Sequence, residues 1–159
     1  MTKYFPTLAA VLALGLTPFA GCIAADDKKK EEKKEAGNFD FPALEAKEWK
    51  KLDNGMKVWD VKEGEGDAVK AGATVKVNYV GWLTDGTKFD SSIDRGEPIS
   101  FALSEVIKGW TDGVPGMKPG GIRRLVIPSE MAYGKRGAGK TIKPDSTLVF
   151  VIEYLGAGK

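Results

Sequence analysis

The sequence predicts an α+β domain, an antiparallel sheet of five to six strands wrapped around one short helix. Three observations predict it. Residues Thr74 to Val80 alternate with the period of a strand, placing Val75, Val77 and Tyr79 on one face. Residues Thr147 to Leu155 are apolar on both faces, the mark of a strand at the centre of a sheet. One stretch alone carries a helical stripe, Val106 to Val114, with Ile107, Trp110 and Val114 at i, i+3 and i+7.

The elements follow in order. Residues 1–21 have the pattern of an export signal: Lys3, an apolar run from Leu8 to Leu16, a break at Pro18, then Phe19-Ala20-Gly21 before Cys22. The run is shorter than the roughly 20 residues of a membrane-spanning helix. Residues 22–46 read as a charged tether, centred on Asp26 to Glu35, whose signs cancel and which lacks an apolar face. The folded domain is placed at 47–157. It opens with a hairpin: Trp49 to Leu52 and Met56 to Val61 flank Asp53-Asn54-Gly55. After the strand from Thr74, Asp85-Gly86 turns the chain into a strand around Lys88-Phe89-Asp90. Further strands are expected at Ile99 to Ala102 and Ile122 to Ile127, with Arg123-Arg124 on a solvated face. The helical stretch contains Gly109 and Gly113, so packing rather than propensity must hold it.

Composition excludes several chemistries. The 159 residues contain no histidine, which removes His-based triads and His-containing metal sites. A single cysteine rules out an internal disulfide and a thiolate zinc site. Neither a metal nor a cofactor is expected. Net charge is +2, and loss of residues 1–21 with Lys3 leaves +1, so there is no electrostatic reason to expect a nucleic-acid partner.

Tyr79 to Ser92, with the run Tyr-Val-Gly-Trp-Leu-Thr-Asp-Gly-Thr-Lys-Phe-Asp-Ser-Ser, resembles the first signature of the FKBP-type peptidyl-prolyl cis-trans isomerases. Glu105 to Trp110 resembles the second, Tyr133-Gly134 the third, and Thr147 to Phe150 the closing strand. The likeness spans roughly Trp49 to Leu155, and its specificity lies in the four blocks occurring together in this order. Taken singly, Trp110, Tyr79 and Phe150 would be core residues, and Asp90 a turn residue bonding the backbone beside it. The resemblance implies an apolar cup floored by Trp110 and walled by Tyr79, Phe89, Ile99, Val106, Ile107, Ile142 and Phe150. It implies that the Ile107 N–H and the Tyr133 hydroxyl bond substrate carbonyls, and that Asp90 is networked with Tyr79 and Arg95 in an electrostatic role. Ile99 stands where an aromatic is frequent and Ala138 where a larger residue is common; both bear on substrate preference. Proline-containing polypeptides are the expected partners, macrolides the expected inhibitors, and a monomer the expected state.

The implied reaction needs no nucleophile. An X–Pro bond turns slowly because amide resonance resists twisting. The twisted amide has lost conjugation and has a less polar carbonyl, so a water-excluding apolar cup suits it better than it suits the planar form. Two other functions use the same hollow: a module that retains proline-containing peptides without turning them over, and a folding chaperone. The stretch from Asp85 to Thr147 leaves no room for a large flap domain, which ranks the chaperone third. The small residues before Cys22 resemble a lipoprotein signal, so acylation of Cys22 and a membrane anchor facing the periplasm or cell exterior are expected. The alternative is a plain secretory signal cut near Ala24-Ala25.

Overall fold

A computed structural model of the protein describes residues 39–158. Cys22 and the export-signal pattern lie outside the described residues. The strands are β1 (Lys50–Lys51), β2 (Lys57–Lys62), β3 (Thr74–Leu83), β4 (Lys88–Ser91), β5 (Ile99–Ala102), β6 (Gly121–Ile127) and β7 (Leu148–Ala157). Two short helices, α1 (Ser92–Arg95) and α2 (Lys108–Gly113), interrupt them. The sheet is antiparallel throughout, in the order β1-β2-β6-β7-β3-β4, with β5 also paired to β3. It thus has seven strands against the five or six expected, counting the two-residue β1.

Asn54 and Gly55 make the expected hairpin. Gly55 takes a left-handed φ of 83°, the Asn54 side chain accepts from the Met56 N–H at 3.2 Å, and Lys50 pairs with Val58. β7, apolar on both faces, lies between β6 and β3. Its inward residues, Leu148, Phe150, Ile152 and Tyr154, join Val75, Val77 and Tyr79 of β3 and Leu125 and Ile127 of β6 in the main core.

α2 lies on that concave face. A Cβ added to Gly109 would sit 2.3 Å from a methyl carbon of Ile127, so the missing side chain lets the helix backbone press onto β6. The glycine that weakens the helix in isolation is what lets tertiary packing hold it. Thr111 adds a pin, its hydroxyl donating to the Leu103 carbonyl at 2.7 Å.

The other face of the sheet is apolar too, with Val80, Trp82, Ile122 and Val151 clustered on it and Phe39 packed against them. Phe41 meets Trp82 edge-on at 5.9 Å, Pro42 is fully buried, and the Trp49 indole donates to the Ala43 carbonyl at 2.8 Å. Residues 39–46, which the sequence reading gives to the tether, are packed against the domain. The arginine pair also departs from expectation. Arg124 is buried, with its guanidinium 4.6 Å over the Trp59 ring. Arg123 turns to the other face and donates to Asp60 and to the Gly113 carbonyl.

Candidate functional site

The concave face carries a cluster of rings built on Trp110. As an inward residue of α2 it meets Tyr79, Phe101 and Phe150 edge-on or nearly so, at 5.2, 5.6 and 5.4 Å. Phe89 of β4 stands edge-on to Phe150 at 5.6 Å. These rings, with Asp90, Glu105, Val106, Ile107 and Tyr133, line an open cavity of about 310 Å³, a size suited to part of a small ligand or a few side chains. Trp110 is 3% exposed and Phe150 5%, which makes them the floor, whereas Tyr133, 41% exposed, stands at the rim.

α1 positions the polar corner. The Ser91 hydroxyl caps it by accepting from the Asp94 N–H at 3.0 Å, and the buried Ser92 hydroxyl accepts from the Tyr79 N–H at 2.8 Å, tying the helix to β3. The turn carries Arg95 back towards Asp90. Its guanidinium donates to Asp90 Oδ1 at 2.5 Å and to the Tyr79 hydroxyl at 3.1 Å. The Tyr79 hydroxyl in turn donates to Asp90 Oδ2. The closed triangle shifts each group. Burial, reinforced by the bond to Asp90, pushes the Tyr79 hydroxyl up to about 12. Burial alone would push the Asp90 carboxyl up as well, but the bonds from Tyr79 and Arg95 outweigh it and hold the carboxyl below its usual range. Asp90 is therefore an anion at neutral pH, partnered on both oxygens.

Three donors at the cavity lack a hydrogen-bond partner among the described residues, the buried Trp110 indole N–H being one. The Ile107 carbonyl accepts from the Trp110 N–H at 2.9 Å, but its own N–H, at the mouth of α2, makes no hydrogen bond with a described residue. Nor does the Tyr133 hydroxyl. Of the residues expected at the site, Tyr79, Phe89, Asp90, Val106, Ile107, Trp110, Tyr133 and Phe150 line the cavity together, with Arg95 joined through its hydrogen bonds. Ile99 and Ile142 do not line it. Ile99 packs beside the main core, and Ile142 is buried within it. Phe101 and Glu105 line it unforeseen. Phe101 could have been found from parity, since it is two residues from Ile99 and shares its face; Glu105 stands in the quoted motif directly before Val106.

A second crevice of about 120 Å³, around Asp60, Lys62, Lys118 and Arg123, is polar, and Arg123 is committed there to Asp60 and to two backbone carbonyls.

Residues 65–155 match the family model described as FKBP-type peptidyl-prolyl cis-trans isomerase. An FK506-binding protein of Neisseria meningitidis serogroup B is 50% identical over 103 residues, covering 64% of this chain and 94% of the relative. A probable FKBP-type peptidyl-prolyl cis-trans isomerase of Haemophilus influenzae is 42% identical over 131 residues, covering 82% of this chain and 54% of the relative. The crystal structure of FkpA from Escherichia coli superposes with a TM-score of 0.67 at 45% identity, covering 82% of this chain and 59% of that one. Fold, aromatic cavity and matched residues agree, and the chain belongs to the FKBP-type peptidyl-prolyl cis-trans isomerases.

Proposed function

We propose that the protein turns X–Pro bonds of exported polypeptides in the cup over Trp110, without covalent chemistry. The observation that carries this is an open, ring-lined hollow with two donors at its edge, the Ile107 N–H and the Tyr133 hydroxyl, that no described residue engages. The prolyl ring sits on Trp110 between Tyr79, Phe89 and Phe150. The free donors take carbonyls of the bound chain and fix it, so that rotation is confined to one bond. The surrounding rings exclude water from an amide whose twisted form has the weaker dipole. Asp90, held anionic by Tyr79 and Arg95, presents a fixed field at the wall and moves no proton.

The test is the cis-to-trans relaxation of a short Leu-Pro or Phe-Pro peptide with the purified protein. Acceleration over the uncatalysed exchange of roughly 10–100 s is expected. Binding without acceleration would instead make the domain a proline-peptide module.

Location and ligands belong to the same proposal. We place the protein outside the cytoplasm, anchored by acylation of Cys22, on the strength of the signal pattern in the sequence, and take it as a monomer from the family resemblance. One acyl chain binds a membrane only marginally, so more than one is required. Ile23, which is not acidic, favours delivery to an outer membrane where the cell has one. Among the described residues no helix is long and apolar enough to cross a membrane. Mass spectrometry of the mature N-terminus decides between a lipidated Cys22 and a cut near Ala24-Ala25. A macrolide is expected to occupy the cup and to inhibit in competition with the peptide.

A further inference from the structure

The loop from Tyr133 to Asp145 sets the character of one side of the cup. Tyr133, at its start, lines the cavity. Ala138 and Ile142 pack against the core that contains Trp110 and bond one another in both directions, at 2.9 and 3.1 Å. The Asp145 N–H donates to the Gly134 carbonyl at 2.9 Å and closes the base. Gly137 has a φ of 63°, and a Cβ there would lie 2.5 Å from the Ile142 carbonyl oxygen, so glycine is needed for the chain to turn this tightly. The loop is held by its inward residues, and its polar side chains are left outside.

From Lys135 to Lys143 the charged side chains are of one sign, with Asp145 at the base the loop's one acid. Lys135, Arg136, Lys140 and Lys143 are exposed, and the loop between Tyr133 and Lys143 contains no acid. Lys143 shares charge with Asp85. Lys135, Arg136 and Lys140 have no ion-pair partner among the described residues. At 3.8 Å per residue, the backbones of Lys135 and Arg136 lie within about 12 Å of that of Tyr133, roughly one Debye length at physiological salt. A chain held at the cup therefore passes within the field of unneutralised cations.

We propose that this loop makes the isomerase selective for prolyl bonds with acidic side chains within a few residues of the proline. The proposal rests on the cup being the substrate site. Exposed charges act weakly one at a time, but three unpaired cations on one loop outnumber the single cavity-lining acid without an ion-pair partner among the described residues, Glu105, and raise the rate of encounter with an acidic chain.

The experiment compares kcat/KM for three Leu-Pro peptides that differ in flanking residues: Glu, Gln or Lys. The Glu peptide should exceed the Gln peptide by roughly three- to tenfold at low salt, with the Lys peptide slowest. The differences should collapse at about 0.5 M salt, where screening is complete within a few ångströms. In K135E/R136E/K140E the order should reverse while the Gln rate is kept. Equal rates for the three peptides in the unaltered protein would overturn the proposal. So would a Glu preference untouched by salt, or one unchanged in the triple variant. The Gln peptide alone reports on the cup, so failure of the substrate site and failure of the charge selection are separate results.

Discussion

Asp90 accepts three hydrogen bonds, from the Tyr79 hydroxyl, the Arg95 guanidinium and the Ser91 N–H, yet it is not deeply buried: its side chain is 40% exposed and that of Arg95 42%. Solvent therefore screens the pair, and its share of stability is expected to be small. Its effect on a bound amide is larger, because the bound chain displaces that solvent. Asp90→Ala should lower kcat/KM by roughly tenfold while moving the urea midpoint little; equal losses in rate and stability would defeat the electrostatic role. The same triangle has a pH signature. With the Tyr79 hydroxyl raised to about 12, its contribution is intact below its unfolded value of about 10 and is lost as pH rises from there through 12. Asp90 runs the other way: its contribution is intact above roughly pH 4 and is lost as pH falls through its lowered native value. Urea melts of Tyr79→Phe should lose the alkaline part of this dependence, since phenylalanine has no proton to give up.

The helix and the strands were legible from the sequence to different degrees. Asn54-Gly55, the alternation from Thr74 and the two-faced apolar run of β7 each state a local rule that the fold obeys. Gly109 states the opposite of what it does, because its value appears when Ile127 arrives from a distant strand. Gly109→Ala tests this directly. Alanine gains about 1 kcal/mol of helix propensity, but its methyl would collide with the branched part of Ile127 at 2.3 Å. Overpacking of that kind costs about 1–3 kcal/mol, so a net loss in the urea melt is expected; a gain would mean that α2 can lift off the sheet freely. Phe101 went unseen for a related reason. Ile99 marks the right face of β5, but which residue of that face reaches the cup depends on the curvature of the strand. α1 is not legible in the sequence because its four residues are too few to show a period.

At the scale of the molecule, the sheet has two apolar faces and needs two covers. The concave one was expected, with α2. The other is supplied by residues 39–46, where Phe39, Phe41 and Pro42 follow directly on a charge-dense stretch that masks them in any average over composition. A chain beginning at residue 47 should therefore be less stable than one beginning at residue 39 by about 2 kcal/mol, from renewed exposure of Trp82 and its neighbours. The Leu-Pro peptide rate, measured where both fold, should be unchanged. Equal urea midpoints would show that the segment merely rests on the sheet.

That cover also keeps residues 39–46 clear of the hollow. Phe39 and Phe41 lie behind the sheet, while the hollow over Trp110 opens in front. A large unfolded client therefore reaches the opening without meeting residues 39–46, and a reporter attached to those residues leaves the way in clear.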